Sequence, residues 1–151
     1  MIENLLTKET IKTDVECLTW QDCVKECGNL LLSQNKVEPN FIKSMEETVM
    51  EFGPYMILIP KVAFFHGMPG NDVHEICLSL ITLKDSVYFK EFENQEIKCA
   101  FGFGAVDSDS HLKMLQEVSE LFRNSEFVNL ITNNGEKEKI LEQVLMLEEK
   151  K

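Results

Sequence analysis

Apolar residues along the chain change from a helical period to continuous runs and then back to a helical period. Over Trp20–Ser33 they recur at helical spacing, which predicts an amphipathic helix. A second helical stripe covers Pro39–Phe52. Gly53 suits the C-terminal cap of that helix and Pro54 cannot extend it, so the second helix is predicted to stop there.

The middle of the chain carries short, continuously apolar or β-branched segments separated by turn residues. Such segments are typical of central strands that are covered on both faces of a sheet. Two helical stripes close the chain, over Asp109–Phe122 and Glu136–Leu147. Helices before, between and after buried strands predict an α/β sandwich. The predicted strands are Tyr55–Pro60, Lys61–His66, His74–Leu83 and Lys98–Val106.

The length and charge of the chain limit the classes of protein to consider. Its 151 residues contain no linker-like stretch, so residues 1–151 are expected to form a single domain. The net charge is −11 and Arg123 is the only arginine, which argues against nucleic acid as a partner. No apolar run approaches the roughly 18 residues of a membrane-spanning helix, and no signal peptide is evident, so a cytoplasmic protein is expected. The same acidity opposes tight self-association but leaves the oligomeric state open.

The cysteines and glycines give no sign of a metal or a cofactor. The five cysteines are an odd number without a Cys-x-x-Cys pair, so no disulfide framework is predicted. Cys23 and Cys27 share a helical face, but a second ligand pair for zinc is missing, and we expect small apolar core residues. The stretch Phe101–Ala105 lacks the third glycine of a dinucleotide-binding fingerprint. We therefore expect no cofactor and no bound metal.

Two of the three histidines stand where functional side chains are common, at a strand end and at a helix start. His66 follows an apolar strand and precedes a glycine-rich turn that starts at Gly67. A neutral imidazole with a pKa near about 6.5 is an available nucleophile. His111 is expected in the first turn of a helix capped by Ser108 or Asp109, where free N–H groups attract anions. A phosphoryl group beside both histidines would meet several donors.

The histidines and their neighbours also allow other roles. His74, near the start of a predicted strand, is expected to be structural. A hydrolase triad within Asp107–His111 is excluded because contiguous residues cannot point at one another in triad geometry. A metal-dependent hydrolase that uses His66, His111 and Asp107 stays open as a third hypothesis.

Three motifs occur in a specific order: Gly53-Pro-Tyr, the apolar strand that ends at His66, and Ser110-His-Leu. This order resembles enzyme IIA of the bacterial phosphotransferase system, in the mannitol/fructose class, and looks closest to ascorbate-type members. The resemblance implies a mixed β-sheet flanked by helices on both faces. It also implies a phosphocarrier in which His66 accepts a phosphoryl group from the histidine-containing phosphocarrier protein and passes it to a cysteine of enzyme IIB. His111 would then hydrogen-bond the phosphate.

The chain departs from the family pattern beside the active histidine. Members commonly have Pro before it and a small residue followed by Arg after it, whereas here Phe65 precedes His66 and Met68 takes the place of the arginine. The missing arginine removes a charge-assisted phosphate donor. The alternative function is therefore a regulatory binding module that keeps the fold, has lost efficient transfer, and binds a transcription factor or a transporter domain.

Other groups are expected to compensate for the missing arginine. Lys61 lies on the strand that leads to His66 and is the best candidate for a replacement cation. Backbone amides and His111 would add donors, with Gly67 and Ser110 as further binding positions.

Overall fold

A sheet of five strands organises the part of the chain that the structure describes, which is residues 1–149 of a computed structural model. Lys150 and Lys151 lie outside the described residues, so the assignment of residues 1–151 to one domain stays a prediction. The strands are β1 (Ile11–Val15), β2 (Ile57–Ile59), β3 (Lys61–His66), β4 (Cys77–Phe89) and β5 (Gln95–Gly104). Their order across the sheet is β1, β4, β5, β3, β2.

The sheet mixes parallel and antiparallel pairs. β1 runs parallel to β4 and β3 runs parallel to β5, whereas the β4–β5 and β2–β3 pairs are antiparallel. Because β3 and β5 run in the same direction, their C-terminal ends meet at one edge, where His66 pairs with Phe103. The predicted α/β fold with a mixed sheet is confirmed.

Helices cover both faces of this sheet. Within the described residues they are α1 (Ile2–Leu5), α2 (Trp20–Ser33), α3 (Asn40–Phe52), α4 (Ser108–Leu121), α5 (Ser125–Thr132) and α6 (Lys137–Glu149). Helices α2 and α3 pack on the face that contains Phe65, and the other four pack on the face that contains Phe64. These neighbouring residues of β3 point to opposite faces, as the two-residue period of a strand requires. The predicted three-layer sandwich is confirmed, and no helix among residues 1–149 is long and apolar enough to span a membrane.

Local interactions explain where the first end of α2 and the last end of α3 lie, in the two helices before the central strands. Helix α2 begins with a reciprocal cap, in which Thr19 Oγ1 accepts from the Asp22 N–H and the Asp22 carboxylate accepts from the Thr19 N–H. Its predicted bounds are confirmed. Helix α3 ends before Gly53, which has a φ of +56° and lies so close to Phe92 that a Cβ atom would be 2.7 Å from the ring. Glycine is therefore required there on both backbone and packing grounds.

Two predicted strands need correction. The central strand predicted over Tyr55–Pro60 is wrong, because Gly53–Met56 forms a 3₁₀ turn and the short β2 that follows lies at the edge of the sheet. The strand predicted over His74–Leu83 starts later and runs further, as the 13-residue β4. His74 lies in the loop before it.

Three elements are absent from the sequence-based prediction. Strand β1 has its buried residues at its two ends, so its sequence shows neither a continuous apolar run nor a clean alternation of apolar and polar residues. Its backbone is also irregular, because Asp14 has a φ of +57°. Helices α1 and α5 have four and eight residues, which is too short for a helical stripe to stand out. The helices predicted over Asp109–Phe122 and Glu136–Leu147 are found as α4 and α6 with small shifts of their ends.

Candidate active site

His66 is the last residue of β3, and its half-buried side chain lies where the strand gives way to a turn. Helix α3 approaches this turn closely. A Cβ atom on Gly67 would lie 2.7 Å from Ser44 Oγ and 2.8 Å from Phe41 Cε1. The Met68 N–H donates to the same Ser44 hydroxyl at 3.3 Å. Glycine at position 67 therefore lets the chain turn directly after the histidine while α3 packs against it.

His111 lies in the first turn of α4, directly after the cap. The Asp107 carboxylate accepts from the Ser110 N–H at 2.8 Å, and the Asp107 N–H donates to Ser110 Oγ at 3.4 Å. The prediction of Ser108 or Asp109 as the cap is wrong, because Asp107 has extended backbone angles and Ser108 already begins the helix. The hydroxyl and N–H of Ser110 are thus occupied in holding the helix start.

The structure brings the two histidine rings together. Their ring centroids are 5.0 Å apart and the ring planes are nearly perpendicular, at 83°. Phe103 on β5 lies beside both rings, with its centroid 4.8 Å from His111 and 6.0 Å from His66. The parallel pairing of β3 with β5 and the short connection from β5 to α4 create this proximity, although 45 positions separate the histidines in the sequence.

Both imidazoles are held in their neutral form. Burial lowers the pKa of His66 to about 4, with a smaller contribution from the neighbouring His111, while a backbone interaction with Gly67 acts weakly in the opposite direction. Burial also lowers the pKa of His111. At neutral pH each ring therefore has one nitrogen with a free lone pair and one N–H donor. A nucleophile and a hydrogen-bond donor are both present in one pocket.

The two rings line a cavity of about 240 Å³. Helix α3 supplies one wall and the start of α4 another, and the turn after β3 lies between them. The N–H of Ser108, at the first position of α4, has no acceptor within the helix by geometry and belongs to the positive end of the helix dipole. The lining residues are Thr48, Phe52, His66, Gly67, Met68, Pro69, Ser108 and His111. The described residues that line the cavity include neither lysine nor arginine.

The expected replacement cation is not at the cavity. Lys61 is the first residue of β3 and His66 the last, and five strand residues span about 16 Å. The structure therefore corrects the expectation that Lys61 compensates for the missing arginine. Arg123 lies 12 residues beyond His111, roughly 18 Å along the helix direction. Sequence reasoning also missed Thr48 and Phe52 on α3, because a helical pattern does not show which of its residues face a cavity formed with other elements.

The model of the family described as phosphoenolpyruvate-dependent sugar phosphotransferase system, EIIA 2, matches residues 4–146. The chain belongs to this family. Its resemblance to type-2 enzyme IIA is thereby confirmed, and the chain is a phosphotransferase with a phosphocarrier role in a sugar phosphotransferase system.

Relatives of this EIIA chain agree with the assignment. The ascorbate-specific EIIA component of Escherichia coli K12 is 30% identical over 125 residues, which cover 82% of this chain and 81% of that protein. The solution structure of the mannitol-specific cryptic enzyme IIA CmtB of Escherichia coli has a TM-score of 0.83 to this chain and 26% identity, and the match covers 95% of this chain and 97% of that one. Enzyme IIA in the Escherichia coli complex of mannitol IIA with phosphorylated IIB shares the fold, at a TM-score of 0.81 and 15% identity, with 93% of this chain and 99% of that chain covered.

Other candidate groups in the EIIA chain lie elsewhere. The His74 Nδ1–H donates to the Asn35 carbonyl oxygen at 2.8 Å, and His74 Nε2 lies 3.5 Å from the Glu38 carboxylate, outside the cavity. Cys23 and Cys27 are buried in the core. Among residues 1–149 no group of three or more His, Cys, Asp or Glu side chains could hold a metal ion. The Asp107 carboxylate, which the hydrolase hypothesis needs as a ligand, caps α4 instead.

Proposed function

We propose that His66 receives the phosphoryl group from the phosphorylated histidine-containing phosphocarrier protein and passes it to a cysteine of enzyme IIB. The neutral, half-buried His66 ring beside a second imidazole 5.0 Å away is the observation that supports this proposal. The lone pair of a His66 ring nitrogen forms a bond to phosphorus while the bond between phosphorus and the donor's nitrogen breaks. In the second step a thiolate sulfur of enzyme IIB attacks, and the His66 nitrogen recovers its electron pair.

The proposal assigns His111 to stabilisation of the transferred group. Phosphoryl transfer depends mainly on positioning and on donors for the equatorial oxygens. The His111 N–H is one donor, and the Ser108 N–H at the helix start is another. Gly67 lets the backbone approach the group closely. Ser110 acts indirectly, through the cap that fixes the helix start.

The proposed substrate class and location follow from the relatives and the sequence. Ascorbate is the proposed sugar class, because the ascorbate-specific component of Escherichia coli matches most of the chain at 30% identity. Enzyme IIB is the proposed acceptor, in line with the complex of mannitol IIA and phosphorylated IIB that shares this fold. The proposal places the relay in the cytoplasm and requires no cofactor.

Phosphorylation followed by intact-mass analysis tests the relay. The purified chain is incubated with enzyme I, the phosphocarrier protein and phosphoenolpyruvate, and the same reaction is run with His66→Ala, His111→Ala and His74→Ala. We expect one added phosphoryl group, about 80 Da, on the wild type and on His74→Ala, and none on His66→Ala. His111→Ala should label slowly. Full labelling of His66→Ala would overturn the assignment of the acceptor.

A second candidate function is a regulatory binding module with impaired transfer. The observation that favours it is the cavity lining, in which no described residue is a lysine or an arginine. A phosphoryl group there would be stabilised by neutral donors alone, and these are weaker than charge-assisted ones. If donors that label a known acceptor leave the wild-type chain unlabelled, this second function replaces the first. Binding to a transcription factor or a transporter domain would then be the activity to measure.

A further inference from the structure

Three aromatic rings meet at the edge of the sheet where the candidate site lies. The ring centroid of Phe103 is 4.8 Å from that of His111 and 6.0 Å from that of His66, and the two imidazole centroids are 5.0 Å apart. The three rings therefore form a closed triangle. Both imidazoles line the cavity, whereas the Phe103 side chain is fully buried. Phe103 thus packs against the histidine pair from the side of the core.

The position of Phe103 is fixed by the sheet and by a second phenylalanine. Phe103 is the register partner of His66 in the parallel pairing of β3 with β5, so the two side chains point to the same face. The ring of Phe64, which is also buried, stacks on Phe103 with a centroid distance of 5.2 Å and an angle of 25° between the ring planes. Side chains in a close-packed core interdigitate and have little room to move. Phe103 is therefore a firm support for the two imidazoles.

Hydrogen bonds do little to orient either imidazole. Functional histidines are commonly oriented by a carboxylate or a backbone carbonyl that accepts from one ring nitrogen. Within residues 1–149, an ion-paired side chain lies beside His74, but no side chain is hydrogen-bonded or ion-paired to His66 or His111. The Asp107 carboxylate at the start of α4 is engaged with Ser110 instead. Ring packing is therefore left as the main constraint on how the two imidazoles are turned.

We propose that Phe103 is the positioning residue of the histidine pair. Its ring holds the two imidazoles at their nearly perpendicular angle of 83° and so keeps the His66 nucleophile and the His111 donor directed at one point in the cavity. Phosphoryl transfer depends on such prior alignment, because positioning supplies much of the rate. The inference rests on the proposed phosphotransfer by this pair, and it gives Phe103 no contact with the phosphoryl group.

Phe101 provides a matched control on the same strand. It lies two residues before Phe103 on β5, is equally buried, and contacts the same Phe64 ring at a centroid distance of 5.9 Å. Its other ring contact is with Phe122, at the end of α4, at 5.7 Å. A change from Phe to Leu removes the same atoms from the same side of the sheet at either position. The comparison therefore separates a loss of packing from a loss of imidazole orientation.

NMR of the free protein tests the orientation directly. Three-bond couplings report the χ1 rotamers of His66 and His111, and cross-relaxation between the two imidazoles reports their proximity. We expect one rotamer for each histidine in the wild type and in Phe101→Leu, and averaged couplings with weaker cross-relaxation in Phe103→Leu. Retention of single rotamers in Phe103→Leu would overturn the proposal. This measurement uses no phosphoryl donor, so it decides the role of Phe103 even if the wild type is never labelled and the relay is wrong.

Kinetics of labelling test the consequence for transfer. Rapid quench with the phosphorylated phosphocarrier protein should show a kcat about 10-fold lower for Phe103→Leu with an unchanged KM, because misplaced reacting groups slow the chemistry and leave docking intact. Phe101→Leu should keep both constants, although thermal unfolding should show a similar loss of stability in the two variants. Phe103→Met takes the place of Phe103→Leu in both experiments if the leucine variant does not fold. An equal fall of kcat at positions 101 and 103 would overturn the proposal, since it would show a general effect of packing.

Discussion

At the scale of single residues, the burial of His66 ties the stability of the protein to pH. Burial, helped by His111, lowers the pKa of His66 from 6.5 to about 4. Between these pH values His66 binds a proton in the unfolded chain but stays neutral in the folded chain. The free energy of unfolding therefore falls as pH falls from about 6.5 to about 4. The full shift corresponds to about 3 kcal/mol at most.

A comparison of variants isolates this contribution of His66. The free energy of unfolding, measured with urea at several pH values, should fall less steeply toward acid for His66→Gln than for the wild type, because glutamine has no proton to reject. His74→Gln serves as the control and should keep more of the wild-type slope. Parallel curves for the wild type and His66→Gln would contradict the burial argument.

His111 should affect the rate of transfer more than the identity of the acceptor. Removal of one preorganised donor to a developing negative charge typically slows a reaction by about 10²–10³-fold. We therefore expect His111→Ala to slow labelling of His66 by about 10²-fold, measured by rapid quench with the phosphorylated phosphocarrier protein. Because the neighbouring His111 also lowers the pKa of His66, the variant should raise that pKa, measured by NMR of the imidazole nitrogens. Unchanged labelling would remove His111 from the mechanism.

At the scale of elements, the start of α4 links stability to the site. Asp107→Ala removes the side-chain cap and should cost about 1 kcal/mol of unfolding free energy, measured by chemical denaturation. It should also slow phosphoryl transfer, since His111 lies in the turn that the cap fixes. Asn124→Ala removes the corresponding cap of α5 and should cost a similar amount of stability without slowing transfer. Equal loss of transfer in both variants would show a general effect of stability.

Elements with a strong local signal could be predicted from the sequence, and those held by long-range contacts could not. The bounds of α2 follow from its apolar stripe and polar cap. Strand β1 depends on contacts far along the chain, because Asp14 is fixed by Asn134 and Thr82 through hydrogen bonds of 2.7 to 3.3 Å. The two histidines could be found from their local surroundings. Their 5.0 Å separation required the β3–β5 register, which no local pattern contains.

At the scale of the whole molecule, exposed apolar side chains beside the site stand on an otherwise acidic protein. The net charge is −11, yet the cavity lining includes the exposed apolar side chains of Phe52 and Met68, and the exposed Leu112 directly follows His111 in α4. We call these three residues the apolar rim. Exposed apolar groups that cluster at a site are typical of protein interaction surfaces. The apolar rim is therefore expected to contact the phosphoryl donor and acceptor proteins, with the surrounding charge adding a component that salt screens.

Two matched substitutions test the apolar rim. Leu112 is 58% exposed beside His111, and Leu145 is 52% exposed on α6, which packs against α1 and α5. Leu112→Ser should raise the KM for the phosphorylated phosphocarrier protein by about 10-fold, equivalent to about 1.4 kcal/mol, because apolar contact with the partner is lost. Its kcat should change little, since the histidine pair stays in place. Leu145→Ser should leave both constants unchanged, and an equal effect of the two substitutions would show that the apolar rim is not the contact surface.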